Sequence, residues 1–171
     1  TILVLRAAQE TWRKTSFSSA PKSQTGAVCD LNRRRDRLGN MLQGIRILDL
    51  SRNLAGPYGT LLLGDLGAEI IKIEPPGGDD TRATTNIAIG GISAYFVAIN
   101  RNKKSIVIDL TKRKGKQVLY DLARTADVVY ENYRPGVTEK LEIDYETLKK
   151  VNQSLIYCSI SGYGQTGPGR N

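Results

Sequence analysis

No histidine occurs among the 171 residues. Ser–His and Cys–His dyads and histidine metal sites therefore lie outside what this chain can build from its own side chains, which removes a large share of hydrolytic mechanisms. The two cysteines, Cys29 and Cys158, sit in unrelated contexts; such a pair reads as free thiols of a reducing or mitochondrial interior rather than a structural disulfide. The residues able to do chemistry gather in four stretches: Arg52-Asn-Leu-Ala-Gly-Pro57, Pro75 to Arg82, Asn132-Tyr-Arg-Pro-Gly136, and the glycine-rich run from Ser161 to Asn171. Arg101, Lys103 and Lys104 add one dense basic knot. No stretch carries the Gly-x-Gly-x-x-Gly spacing that brings a backbone against a pyrophosphate, nor a Walker Lys-Ser/Thr pair, so a plain NAD or ATP reading has no support.

These stretches need elements to hold them. Short β-branched runs predict strands at Ile45–Leu50, Ala68–Glu74, Ser105–Leu110, Asp127–Glu131 and Ser154–Ile160. Between them, Pro57 opens a helix over Gly59–Leu66, and Thr111 can cap a second whose Val118, Leu119, Leu122 and Ala123 share a face. A third helix covers Tyr145–Val151. Strands alternating with crossover helices imply an α/β fold with a Rossmann-like, mostly parallel sheet. Such sheets bind ligands beyond the carboxyl ends of their strands, and the four chemically rich stretches all follow predicted strands.

Composition sets the bounds. At 40% hydrophobic and 25% charged, the chain is in the globular range, and its apolar runs are a few residues long, far below the roughly 20 needed to span a membrane. The net charge of +8 is uneven: residues 1–40 hold eight of the 25 basic side chains and three of the 17 acidic ones. That segment, poor in acids and rich in Arg, Lys, Ser and Thr, reads as a transit-like leader and linker, with the folding domain over 41–171 and a mitochondrial destination. The triple Arg33–Arg35 lacks the aromatic interleaving or basic helix face of a nucleic-acid site.

Taken in order, Gly44-Ile-Arg-Ile-Leu-Asp-Leu-Ser51, Leu54-Ala-Gly-Pro57, Leu63-Gly-Asp-Leu-Gly-Ala-Glu-Ile-Ile-Lys-Ile-Glu74, Gly78-Asp-Asp-Thr-Arg82, Asn100-Arg-Asn-Lys-Lys-Ser105, Glu131-Asn-Tyr-Arg-Pro-Gly136 and Ser161-Gly-Tyr-Gly-Gln-Thr-Gly-Pro168 resemble the amino-terminal part of a family III CoA-transferase. The resemblance implies a partial, CoA-binding large domain cut short at its carboxyl end. It also implies transfer of CoA between carboxylic acids, such as from succinyl-CoA to a short dicarboxylate like glutarate. Coenzyme A would enter as an acyl-CoA substrate, with a carboxylic acid as its second partner and no metal, nucleic acid or membrane. The full-length family member would be an interlocked homodimer.

The positions that match the family's CoA contacts are Leu54 and Ala55 after the first strand, Ile108, Asp109, Leu110 and Thr111 ending the third, Asn132 and Tyr133 after the fourth, and Lys140 one short helix later. Arg101, Lys103 and Lys104 are expected to face the CoA phosphates. Pro75 stands where the family often holds an arginine. The family's aspartate nucleophile, which divides acyl transfer into easier steps, falls beyond Asn171, and no aspartate of this chain is matched to it. An α-methylacyl-CoA racemase of the same superfamily and a non-catalytic CoA-binding fragment are the alternative readings.

Overall fold

In the computed structural model of the chain, residues 2–6, 41–84, 87–89 and 91–169 are described. They form β1 (Ile2–Arg6), β2 (Arg46–Asp49), α1 (Ala55–Asp65), β3 (Glu69–Glu74), a 3-10 turn (Asp80–Ala83), a small hairpin of β4 (Ala88–Ile89) and β5 (Ile92–Ser93), α2 (Ala94–Asn100), β6 (Lys103–Val107), α3 (Arg113–Ala123), β7 (Val128–Glu131), α4 (Val137–Leu141), α5 (Tyr145–Val151) and β8 (Ile156–Ser161). Six strands make one sheet in the order β1-β8-β7-β2-β3-β6. The five from β2 to β8 are parallel, with Asp49 beside Lys72 on one flank and Tyr130 on the other. This is the α/β fold expected from the alternation of strands and helices.

Central strands of a parallel sheet are covered on both faces and so are apolar without interruption. Ile47 and Leu48 of β2, Val129 and Tyr130 of β7, and Tyr157 and Cys158 of β8 each send neighbouring side chains to opposite faces. On one face Leu48, Val129 and Tyr157 meet Leu119 and Ala123 of α3 and Leu148 of α5. On the other, Ile47, Ile70, Tyr130 and Cys158 pack with Leu63 of α1. Leu48, Leu119, Ile143 and Leu148 are fully buried, each contributing about 2 kcal/mol of hydrophobic stabilisation.

Several boundaries differ from the sequence expectation. Helix α1 begins at Ala55 rather than Gly59, so the loop after β2 is only Leu50 to Leu54. β6 begins at Lys103 and ends at Val107, two residues earlier at its start than the β-branched run suggested. The stretch around Tyr95 and Phe96, without clear period, folds as the short helix α2. Thr111 does not cap α3: its hydroxyl bonds Asp109, and Lys112 occupies the cap position without a side-chain bond. Val118 is exposed while Leu119 and Ala123 carry the buried face. Within the expected leader, Ile2–Arg6 pairs antiparallel with β8, from Ile2 beside Ser161 to Arg6 beside Tyr157; residues 7–40, Cys29 included, lie outside the described residues. No described helix is long and apolar enough to cross a membrane.

One glycine fixes how closely α3 approaches β6. A Cβ at Gly115 would stand 2.0 Å from the Asp109 carbonyl oxygen, a backbone atom that cannot rotate away. Gly115→Ala gains about 1 kcal/mol of helix propensity, but overpacking of this kind costs about 1–3 kcal/mol, and a clash with backbone belongs at the upper end. A net loss of about 1–2 kcal/mol by urea denaturation is the expected outcome; an unchanged or raised midpoint would show that α3 can slide.

Candidate functional site

The order of strands locates the crevice. From β2 the chain moves to β3 and β6 on one side, then returns to β7 and β8 on the other. The loops after β2 and β7 thus leave the sheet in opposite directions, which makes this the switch point beside which open parallel sheets bind ligands. The loop after β2 is held from several sides. Asp49 is fully buried; it accepts from the Ser51 amide (3.0 Å), the Ser51 hydroxyl and the Thr60 hydroxyl (2.6 Å). It also pairs with Lys103 Nζ at 3.0 Å.

Lys103 reaches from β6 across the α1 face and is itself only 2% exposed at its side chain. Its ammonium also meets the Pro57 carbonyl (2.8 Å), Thr60 Oγ1 (2.9 Å) and Asn100 Oδ1 (2.9 Å). Burial draws its pKa below the ordinary lysine value, and the Asp49 charge works against that. From β3, buried Lys72 donates to the Ser51 carbonyl at 2.8 Å and pairs with Asp79 at 2.8 Å. Gly56, in the first turn of α1, is pressed against Ser51: a Cβ there would lie 2.2 Å from Ser51 Cβ.

The loop after β3 is built on the same plan. Glu74 accepts two bonds from Arg82 (2.6 and 2.7 Å), one from the Asp79 amide (2.9 Å) and one from the Ser105 hydroxyl. The Arg82 guanidinium lies 4.0 Å from the centre of the Phe96 ring, which gives α2 its place. Burial works to raise the Glu74 carboxyl, but the bonds from Arg82, Ser105 and the Asp79 amide outweigh it and hold the pKa at about 2. Asp79 is likewise lowered despite burial, through Lys72 and Thr81.

On the other side of the switch point β7 ends at Glu131, and Asn132 and Tyr133 follow it. Asn132 accepts from the Arg52 amide and donates to the Arg52 carbonyl, both at 2.8 Å, which ties the two loops together. Glu131 accepts from the Tyr133 amide at 2.7 Å, and burial pushes its carboxyl above the ordinary range. A cavity of about 450 Å³ opens between the loops after β7 and β8, lined among others by Asn132, Tyr133, Pro135, Ser161 and Tyr163. A second, of about 300 Å³, lies on the α4–α5 side, where Glu131, Glu139, Asp144 and Glu146 line it. That acidic lining disfavours an anion there, whereas no carboxylate among the described residues lines the first cavity.

The expected site residues divide into groups. Leu54 and Ala55 are exposed at the entry to α1, and Asn132 and Tyr133, both half-buried, follow the neighbouring strand β7, with Asn132 bonded to the Arg52 backbone. Lys140 is exposed on α4, which follows Tyr133 on the same rim. Ile108, Asp109, Leu110 and Thr111 lie past the end of β6 on the same sheet edge but two strands away from β2; Ile108 and Leu110 are core, while Asp109 accepts from the Thr111 amide and hydroxyl. Arg101, Lys103 and Lys104 do not converge. They sit at the opposite, amino-terminal end of β6, where alternation sends Lys103 inward and Lys104 outward to Glu69, while Arg101 pairs with Asp65. Charge density in the sequence could not reveal that each cation has its own carboxylate partner. The sequence places Arg52 in the chemically rich loop after the first strand but gives it no role of its own, because the Asn132 contacts that fix its backbone are tertiary.

The mostly parallel sheet with helices on both faces and a switch point between β2 and β7 defines a Rossmann-like α/β fold. The chain belongs to CoA-transferase family III, whose profile matches residues 42–171. Over 128 residues it is 51% identical to the succinyl-CoA:glutarate CoA-transferase of Mus musculus, covering 74% of this chain and 29% of that protein. It is 51% identical over 126 residues to the acetyl-CoA:oxalate CoA-transferase of Acetobacter aceti, covering 73% of the chain and 32% of that relative. The crystal structure of a CAIB/BAIF family protein from Brucella suis superposes with a TM-score of 0.73 at 45% identity, over 77% of this chain and 36% of that one. The chain therefore spans about a third of the length of these proteins.

Two outcomes test this architecture. Lys103→Met strands the buried Asp49 charge, and loss of one member of a buried pair costs about 3–5 kcal/mol; in a double-mutant cycle by urea denaturation, adding Asp49→Asn restores part of that loss, whereas strict additivity would dissociate the two groups. The second outcome concerns acid. Glu74 has a folded pKa near 2 against an ordinary 4.5, so its contribution is complete above about pH 4.5 and is lost as pH falls toward 2. The urea midpoint of the parent should fall across that window and that of Glu74→Gln should fall less, with Asp79 supplying the slope that persists.

Proposed function

We propose that this chain forms the thioester-binding portion of a CoA-transferase that moves CoA between carboxylic acids, with succinyl-CoA as donor and a short dicarboxylate such as glutarate as acceptor. The observation that carries this reading is the clamped cleft between Arg52–Pro57 and Asn132–Gly136 at the switch point, in a chain of this family. Leu54, Ala55, Asn132 and Tyr133 line the path of the CoA chain, Lys140 meets a phosphate, and the backbone after β6 at Ile108, Asp109, Leu110 and Thr111 holds the nucleotide end. Arg101, Lys103 and Lys104 take a structural part through their carboxylate partners.

The catalytic carboxylate is not among the well-engaged aspartates here. Asp49 and Asp79 are locked in buried ion pairs, Asp65 pairs with Arg101, Asp109 is bonded by Thr111, and Asp144 caps α5 through Thr147. A nucleophile must reach the thioester carbonyl unencumbered, which these partners oppose; Asp80, exposed beside Arg52, is likewise matched to no family nucleophile. In the cell the opening segment serves as a mitochondrial leader and residues 41–171 as the partial CoA-binding domain; the full-length protein acts as a homodimer.

The test is calorimetric titration of the purified chain with CoA and succinyl-CoA. Saturable binding that weakens with salt is the expected outcome, since phosphate contacts at an open rim are screened. Asn132→Ala, which releases the Arg52 backbone, should weaken binding about tenfold, the equivalent of about 1.4 kcal/mol. Absence of binding by the parent chain at millimolar CoA would overturn the reading.

A further inference from the structure

Arg52 stands at the switch point with its backbone fixed on both sides, the amide and carbonyl by Asn132 and the preceding Ser51 carbonyl by Lys72. Its side chain is one-third exposed, yet Nε is shielded from solvent and has no hydrogen-bond partner among the described residues. The nearest carboxylate, that of the exposed Asp80, lies 4.0 Å from Nη1, beyond hydrogen-bond reach. The other half-buried arginines differ. Arg82 is bonded through two nitrogens to Glu74, and Arg46 bonds Glu69 and Thr125. A shielded donor left without an acceptor carries the full cost of its desolvation, a penalty that a ligand oxygen would remove.

The charge balance of the cleft leads to the same residue. Lys72 and Lys103 are neutralised by Asp79 and Asp49 within the protein. Arg52 is thus left as the cation of the β2 loop whose nearest counter-charge among the described residues, the exposed Asp80, is a loose ion pair at 4.0 Å with no hydrogen bond. Its planar fork matches the paired oxygens of a carboxylate or phosphate, which a lysine ammonium does not. Desolvation of Nε strengthens such a bond relative to one formed in water.

We infer that Arg52 is an anion receptor at the mouth of the β2–β7 cleft, taking two oxygens of one anionic group of the bound ligand through Nε and a terminal nitrogen. The identity of that group rests on the thioester reading above: it is either the free carboxylate of a dicarboxylic acyl chain or a phosphate of CoA. The receptor itself does not depend on that reading.

Proton–nitrogen correlation spectra of arginine Nε groups in the full chain decide it. Arg52→Lys and Arg52→Gln identify the Arg52 signal by its loss, with sequential backbone assignment as a route independent of folding of the variants. The chain is titrated separately with glutarate, inorganic pyrophosphate, CoA and succinyl-CoA. A saturable downfield shift of the Arg52 proton, with at least tenfold weaker binding of the same probe to Arg52→Lys, is the expected result. A shift with glutarate and succinyl-CoA but not CoA assigns the carboxylate; a shift with CoA and pyrophosphate assigns the phosphate. A shift with glutarate or pyrophosphate alone supports the receptor while counting against the thioester reading. An Arg52 signal unmoved by all four probes overturns the inference.

Discussion

The two lysines buried beside the sheet, Lys103 against Asp49 and Lys72 against Asp79, constrain everything at its carboxyl edge. A charge taken out of water is tolerated only where its partner is held in place. Each pair therefore enforces a relation between chain segments distant in sequence: Lys103 ties β6 to β2 and the first turns of α1, and Lys72 ties β3 to the loops on both sides of it. Apolar residues of equal volume would hold the strands together at least as well. What they would not do is bond the Ser51 and Pro57 carbonyls, which sets the path of the loop between them. The ion pairs account for position more than for stability.

That distinction explains what the sequence reveals. Short β-branched runs such as Ile45–Leu50 and Ala68–Glu74 identify the strands because burial on both faces leaves a direct apolar trace, and the order of loops along the edge follows from the parallel topology. The basic run at Arg101–Lys104 gives no comparable trace of its partners. A one-residue step on β6 decides whether a lysine enters the α1 interface or pairs with Glu69 in solvent, and the strand begins two residues before its β-branched stretch. The start of α1 is similarly hidden: Gly56 suits the first turn because Ser51 leaves no room for a side chain, a tertiary fact absent from local propensity.

Glu131-Asn132-Tyr133 shows how three consecutive residues can divide one cleft into regions of opposite preference. Glu131 lines the acid-rich cavity, and loss of solvent pushes its buried carboxyl above the ordinary range, with Glu139 adding like charge. Asn132, next along, makes no charge of its own and spends its amide on the Arg52 backbone. Tyr133 closes the sequence with its amide bonded to Glu131 and its side chain at the larger cavity. Its hydroxyl pKa is raised by burial while the nearby Arg52 charge pulls it down, so the cation is felt on this side of the strand. An anion entering at the switch point thus meets a guanidinium and a neutral phenol on one side of β7, and carboxyl groups on the other. Which residues at a single strand end face each way decides where the charges lie, and the Asn132 clamp fixes the Arg52 backbone beside them.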